Sequence, residues 1–384
     1  MTHLLLASLL GFSLGPIVPP SVESTEASGE FAALPFAEWN RPLPGDPVNA
    51  VSHSERGELA FRDGKLYLGS AGGEALYALD AQSGALLHTY EANAAVQSAP
   101  VFTDEGLYFC DEGGYTFFYR YGEREAAWSH FGGAPITSAP TLGAGRLFVA
   151  SVDDTVYALN ATSGELIWRY DNPPALSRET ELTLYGAPSP VIRGGDLLTG
   201  FSDGSLVAIS IQSGAKTWSK RVGEGTYPDL IAPPVEGGNS LFAAGFDGPF
   251  VAIDPTTQAV RWSLDFGSSS ESTLIASALF IGGTDGALRR VDARTGEVEW
   301  EWDSETGGTL TKPVLTAAGL ISASSEGTIY LSNPEDGALL WSYEPEVRLA
   351  GFSVQPLLVG EAMYAVTNAG NLLKFRAFAV PTQE

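Results

Sequence analysis

Cysteine is almost missing from this chain: Cys110 is the single copy in 384 residues, so no intramolecular disulfide can hold the fold. It lies in the strand-like run Leu107-Tyr108-Phe109-Cys110 and reads as a buried, inert thiol. Histidine is scarce too. His3, His53, His88 and His130 stand far apart without metal-ligand spacing, which argues against a zinc site. Positive charge is short: 21 Lys and Arg face 46 Asp and Glu, for a net charge of −25. That balance argues against nucleic acid and anionic membrane surfaces as partners, and favours solubility or a basic partner. No Gly-rich phosphate loop joins a strand to a helix, and no nucleophile elbow is present.

Long apolar runs are lacking as well. The stretch 4–14 is too short to cross a bilayer, but it fits the apolar core of an export signal. It departs from that pattern in two ways: no Lys or Arg precedes it, and no small-x-small cleavage site follows. No cysteine follows that could carry a lipid. Pro16, Pro19 and Pro20 end any helix there. The expected organisation is an export signal over residues 1–22, a Pro/Ser/Glu-rich linker over 23–35, and one domain over 36–384. A periplasmic or otherwise exported monomer is expected, with no transmembrane segment.

What the chain does have is a repeated phrase. LFVASVDDTVYALNATSGELIWRY (147–170) and LFIGGTDGALRRVDARTGEVEW (279–300) are two clean copies. Each reads as an apolar strand, an acidic-Gly turn, a second strand, another turn, and a strand ending in tryptophan. The anchoring positions are His88, Trp128, Trp168, Trp218, Trp262, Trp300 and Trp341, at separations of 40, 40, 50, 44, 38 and 41 residues. That period fits a four-stranded propeller blade, and is too long for leucine-rich repeats. The apolar pattern alternates with period two, as in Thr155-Val156-Tyr157-Ala158-Leu159, so the elements are strands rather than helices.

Each unit divides into four strands. A Ser/Ala-Pro phrase (Ser98-Ala99-Pro100, Ser138-Ala139-Pro140, Ser189-Pro190, Ala232-Pro233, Lys312-Pro313) is expected within the innermost strand, where small residues suit crowding around an axis. Asp203-Gly204, Asp247-Gly248, Asp285-Gly286 and Glu326-Gly327 make the middle hairpin. The third strand ends at Asp80, Asn160, Asp254, Asp292 or Asn333, whose side chains can bond amides further on. Glycine then takes the left-handed position of that turn, except at Gln258. The last copy lacks a Trp-bearing fourth strand, and Phe36-Ala37-Glu38-Trp39-Asn40 offers one. The fold class expected is therefore all-β: an eight-bladed propeller of four-stranded antiparallel blades, closed by pairing of the N-terminal strand with the C-terminal blade. Seven blades is the alternative.

The phrase D-G-x-(L/V)-x-A-(L/I)-(D/N)-x-x-(S/T)-G-x-x-x-W resembles the repeat of the PQQ-like, quinoprotein-type propellers, and covers about nine tenths of the chain. The resemblance implies that Trp128, Trp168, Trp218, Trp262, Trp300 and Trp341 dock each blade on its neighbour, with a weaker junction at His88. It also implies one of two functions. Some members are dehydrogenases holding PQQ and a Ca²⁺ ion over the axis; others, similar to BamB, are non-catalytic protein-docking rings. The dehydrogenases are longer, and several stack a vicinal disulfide on the quinone, which a single cysteine cannot supply. The expectation is a non-enzymatic scaffold for protein–protein interaction in envelope or outer-membrane protein assembly, without cofactor or metal. The rivals are a PQQ- and Ca-dependent or sugar-directed enzyme, and a glycan or small-ligand sensor.

Candidate surfaces follow from loop geometry. The one sizeable insertion, residues 171–186, shares a face with the turns carrying Asp153, Asp154, Asp203, Asp247, Asp285 and Glu326. Arg178, Glu179, Glu181, Leu182, Leu184 and Tyr185 of the insertion, with Asp203, Asp247 and Asp285, form the candidate docking surface. Turn chemistry explains the Asp-Gly pairs equally well, and their spread of one per blade excludes a single metal cage.

Overall fold

Eight separate hydrogen-bonded sheets of four antiparallel strands make up the ring. They are seen in a computed structural model that describes residues 36–44, 56–172, 184–304, 307–345 and 351–376. Blade 1 is typical: β2 (Leu59–Arg62), β3 (Lys65–Ser70), β4 (Ala75–Asp80) and β5 (Leu86–Glu91) pair in chain order. Blades 2 to 7 repeat this over residues 101–131, 141–171, 191–221, 235–264, 273–303 and 314–343. The two middle strands of each blade are almost wholly buried, because both of their faces meet neighbouring blades. Clusters such as Leu147, Val149, Tyr157 and Leu159 with Tyr108 and Phe118 fill the space between sheets.

Ring closure is a seam between the chain's distant parts. In blade 8, β30 (Leu357–Val359), β31 (Ala362–Val366) and β32 (Asn371–Arg376) are completed by β1 (Phe36–Pro42). The register runs antiparallel from Phe36 opposite Arg376 to Pro42 opposite Asn371. Eight blades, not seven, is the outcome. Closing the sheet leaves no unfinished blade whose free backbone groups would template aggregation.

The innermost strands differ from expectation in one respect. Pro100, Pro140, Pro190 and Pro313 fall just before the ladder pairing, which begins at Val101, Thr141, Val191 and Val314. A proline has no N–H to give the ladder, so the phrase is displaced into the segment entering the axis.

The turn after the third strand is built as its residues dictate. Asp292 Oδ1 accepts from the Arg294 and Thr295 amides at 2.9 and 2.7 Å, and Asn160 and Asp254 repeat this with their own turn amides. The glycine that follows has a second task. The ring of the preceding blade's tryptophan lies directly over it, so a Cβ at Gly164, Gly214, Gly296, Gly337 or Gly84 would stand 2.6–3.0 Å from Trp128, Trp168, Trp262, Trp300 or Trp39. The indole N–H then donates to a turn carbonyl: Trp168 to Ile211 at 3.1 Å, Trp262 to Ala293 at 3.1 Å, Trp300 to Pro334 at 3.1 Å, Trp128 to Ala161 at 3.3 Å. Trp39 does the same across the seam, to Gln82 at 2.9 Å. Trp218 packs against the cluster of Leu241, Val251 and Ile253, and Trp341 against Phe375. Where Gln258 replaces the glycine, its φ of 57° keeps the left-handed turn. His88 reaches the Glu123 carbonyl at 3.0 Å, so the first junction keeps its polar bond but loses indole area.

Cys110 is fully buried, its Sγ 3.5 Å from Thr116 Oγ1, and burial pushes its thiol up to about 12. No appreciable thiolate forms at neutral pH. The leader and linker expected over residues 1–35 lie outside the described residues.

Replacing Gly214 by alanine is expected to destabilise the protein by roughly 1–3 kcal/mol, through the forced displacement of Trp168 and the left-handed φ. Trp39→Ala is expected to cost about 3 kcal/mol or more and to promote aggregation by loosening the seam. Urea denaturation followed by tryptophan fluorescence checks both.

Candidate docking face at the axial mouth

In a four-stranded blade the turn between the second and third strands and the segment linking consecutive blades emerge on the same face. That face gathers the acidic turns around the axis, but the carboxylates are held locally. Asp203 accepts from the Ser205 amide and hydroxyl at 3.0 and 2.5 Å. Asp247 accepts from the Tyr227 amide at 2.7 Å. Asp285 binds the Arg289 guanidinium through two hydrogen bonds of 3.0 and 2.6 Å. Arg289 also pairs with Glu301 at 2.8 Å and stacks 4.1 Å from the Phe266 centroid. Asp154, at φ 62° where all the other blades but the first carry glycine, receives the Ser202 amide of the next blade at 2.9 Å. Among the described residues no three His, Cys, Asp or Glu side chains come together as metal ligands.

The insertion ends in a strap over the inner mouth. Arg178, Glu179, Glu181 and Leu182 lie outside the described residues; Leu184 and Tyr185 lie within them. The Leu184 amide donates to Asp229 Oδ1 at 2.9 Å, ahead of blade 5. The Tyr185 hydroxyl donates to Glu112 Oε2 at 3.2 Å, on blade 2, and the Ala187 amide to Thr137 Oγ1 at 3.4 Å, on blade 3. Residues 184–187 thus tie together parts of the rim that are far apart along the chain. Tyr185 remains 53% exposed, while partial burial and the Glu112 carboxylate push its hydroxyl up to about 12. A half-covered aromatic held by a hydrogen bond to a carboxylate presents a fixed apolar surface at the rim.

Beneath the strap lies a cavity of about 220 Å³ lined by all eight blades, with Glu58, Gln97, Ser138, Tyr185, Glu271 and Lys312 in its wall. Lys312 Nζ lies 2.7 Å from Glu271 Oε2. Burial raises the Glu58 carboxyl, the Ala99 amide opposes that rise, Glu271 adds to it and Lys312 reduces it. Sequence reasoning missed these residues. The signal was present: Glu271 and Lys312 each fall two positions ahead of an innermost strand, where blades 2 and 3 carry Ala99 and Ala139. For a quinone with Ca²⁺ the fit is poor, since the cation would contend with the Lys312 ammonium for Glu271.

The sequence profile described as outer membrane protein assembly factor BamB matches residues 37–134, 125–302 and 284–379. The chain belongs to this family of PQQ-like propellers. The BamB of Shewanella oneidensis is 22% identical over 255 residues, covering 65% of this chain and 63% of the relative. The BamB of Legionella pneumophila is 25% identical over 198 residues, covering 50% and 51%. The matches thus span between half and under two thirds of these relatives' lengths. Among solved structures, BamB from Moraxella catarrhalis superposes with a TM-score of 0.74 at 18% identity, covering 89% of this chain and 100% of that one. The quinohemoprotein alcohol dehydrogenase of Comamonas testosteroni superposes at 0.68 with 12% identity, covering 91% and 78%. At such identities the structural likeness shows the fold alone. No helix among the described residues is long and apolar enough to cross a membrane.

The carboxylates of this BamB-family face also set an acid dependence. At Asp285 burial favours the neutral acid, but the Arg289 bonds outweigh it and hold the carboxyl below its usual range. A group lowered on folding stabilises above its unfolded pKa, and that contribution is lost as pH falls through the folded value. Asp285→Asn is therefore expected to lower Tm at pH 7, with the gap to wild type closing below about pH 4. Thermal denaturation across pH 7 to pH 2 measures it.

Proposed function

We propose that this chain is a non-enzymatic, exported propeller scaffold that binds other proteins during outer-membrane protein assembly in the cell envelope. The observation that carries the reading is the family match, which runs through three overlapping stretches from residue 37 to 379. Its relatives in Shewanella oneidensis and Legionella pneumophila are named outer membrane protein assembly factors.

The docking face is the axial mouth, with the strap around Leu184 and Tyr185 as its anchor and the acidic rim of Asp203, Asp247 and Asp285 around it. A rigid ring carrying an exposed, hydrogen-bonded tyrosine suits protein recognition, where aromatic anchors on a firm scaffold lose little entropy on binding. The net charge of −25 favours a partner of basic character, by steering its approach. In this reading the chain works as a periplasmic monomer and needs neither PQQ nor Ca²⁺.

A pull-down from envelope extract with the intact protein is expected to recover a defined partner. Tyr185→Ala is expected to weaken its capture by about tenfold, the scale of a hot-spot side chain. Deleting residues 171–186 should abolish capture. Tightly bound quinone in the purified protein, or dye-linked dehydrogenase activity after adding PQQ and Ca²⁺, overturns the reading in favour of an enzyme.

A further inference from the structure

The axial cavity has an uneven wall. Blades 6 to 8 and blade 1 contribute Glu271, Lys312, Gln355 and Glu58, whereas Ile231 and Pro233 present apolar surface from the entry to blade 5. The charges do not balance among the described residues. Lys312 is 2.7 Å from Glu271, so one half-buried ammonium faces two carboxylates, and among the described lining residues Glu58 has no cation of its own; Arg56, the other cation there, is exposed. Glu58 is anchored by its backbone, whose amide donates to the Gln97 carbonyl at 3.2 Å. A second, independent observation comes from blade 3. The Ser138 hydroxyl, in the wall of the same cavity, is shielded from solvent and has no hydrogen-bond partner within the described residues. A buried polar atom without a partner is costly unless something supplies one.

We propose that the axial cavity binds a primary ammonium group carried on a short aliphatic chain, with Glu58 as its counter-ion. An ammonium brings three donors and no acceptor. It matches a wall of carboxylate, hydroxyl and amide oxygens, while its methylenes lie against Ile231 and Pro233. The size agrees: about 220 Å³ falls below the roughly 300–1,000 Å³ of drug-sized sites and suits a linear amine. An anion in the same place would meet Glu58 and Glu271 for the sake of Lys312. The negative field of the whole chain concentrates cations at the mouth. The ammonium can belong to a free linear diamine or to a lysine side chain, and the recognition chemistry is the same. This site is separate from the strap as a docking anchor, although Tyr185 lines both.

Titration calorimetry on the intact protein tests the proposal, with 1,5-diaminopentane, the N-acetyl amide of lysine, and glutarate as the anionic control. The diamine is expected to bind one-to-one with a millimolar or tighter Kd, and glutarate not to bind. Glu58→Gln, which keeps the shape and removes the charge, is expected to weaken the diamine by about tenfold or more, close to the value of one charge-assisted hydrogen bond. Wild-type affinity should also fall on acidification as Glu58 takes a proton; Glu271, Lys312, Arg56 and Tyr185 are the other charged or titratable groups among the described lining residues, with Glu112 bonded to Gln97 and Tyr185 behind them. Should Glu58→Gln fold poorly, Ser138→Leu reads out the same site from blade 3 with every charge in place, and is expected to weaken the diamine as well. If the lysine amide binds as tightly as the diamine, a protruding lysine side chain is an accepted source; if only the diamine binds, the free amine is. Absence of saturable diamine binding up to about 10 mM, equal affinity in wild type and both variants, or tighter binding of glutarate overturns the proposal, whatever the pull-down with Tyr185→Ala shows.

Discussion

The contact on which the ring depends is the indole of one blade laid over the turn glycine of the next. Three conditions meet there. The glycine must take a left-handed φ, it must lack a side chain so that the ring can approach, and a carbonyl of the same turn must accept the indole N–H. Trp168 over Gly214 with Ile211 as acceptor satisfies all three. Each such lock joins neighbouring blades, so away from the seam the inter-blade core grows by nearest-neighbour addition. The same geometry recurs through Trp39 and Gln82, where the two blades joined are far apart in sequence.

This arrangement also governs where function can sit. The glycine locks lie on the face of the turns between third and fourth strands, so the rigid side of the molecule is the one opposite the axial mouth. The mouth is left to variation. Its turns differ from blade to blade, Asp203 with Ser205, Asp247 with Tyr227 and Asp285 with Arg289, and the one long insertion opens there. A firm frame with one variable end is what recognition of another molecule requires.

Much of the fold was legible because each turn type has a local chemical cause. Asp292 bonds to the amides two and three residues on, and Asp-Gly makes a tight hairpin, wherever they stand in a chain. Trp39 was legible for a different reason, as the missing member of a counted set. Two features were not. The pairing of third and fourth strands slips by one residue beside the tryptophan, between Ala158 and Leu159 and again between Ala208 and Ile209. A bulge of this kind turns the indole toward the next blade, and it leaves the neighbouring Leu166 and Ile167 both exposed on the outer rim. Strict alternation gives no hint of it. The cavity residues escaped notice because Glu58, Glu271 and Lys312 come from three different blades, and only closure brings them to one place. The shift of the proline phrase out of the innermost strand could have been inferred from its missing N–H.

The seam has a temporal meaning as well. Tyr364 donates to the Ala81 carbonyl across 283 positions of sequence, and strand Phe36–Pro42 finds its partner only in Asn371–Arg376, the last of the described strands. However the chain is delivered, Phe36–Pro42 must therefore wait for this pairing until Asn371–Arg376 is available. Blades 1 to 7 can assemble in the order they are made, and circularisation comes last. Until that pairing forms, the sheet of Leu357–Val359, Ala362–Val366 and Asn371–Arg376 keeps an open edge, the kind of surface a chaperone holds.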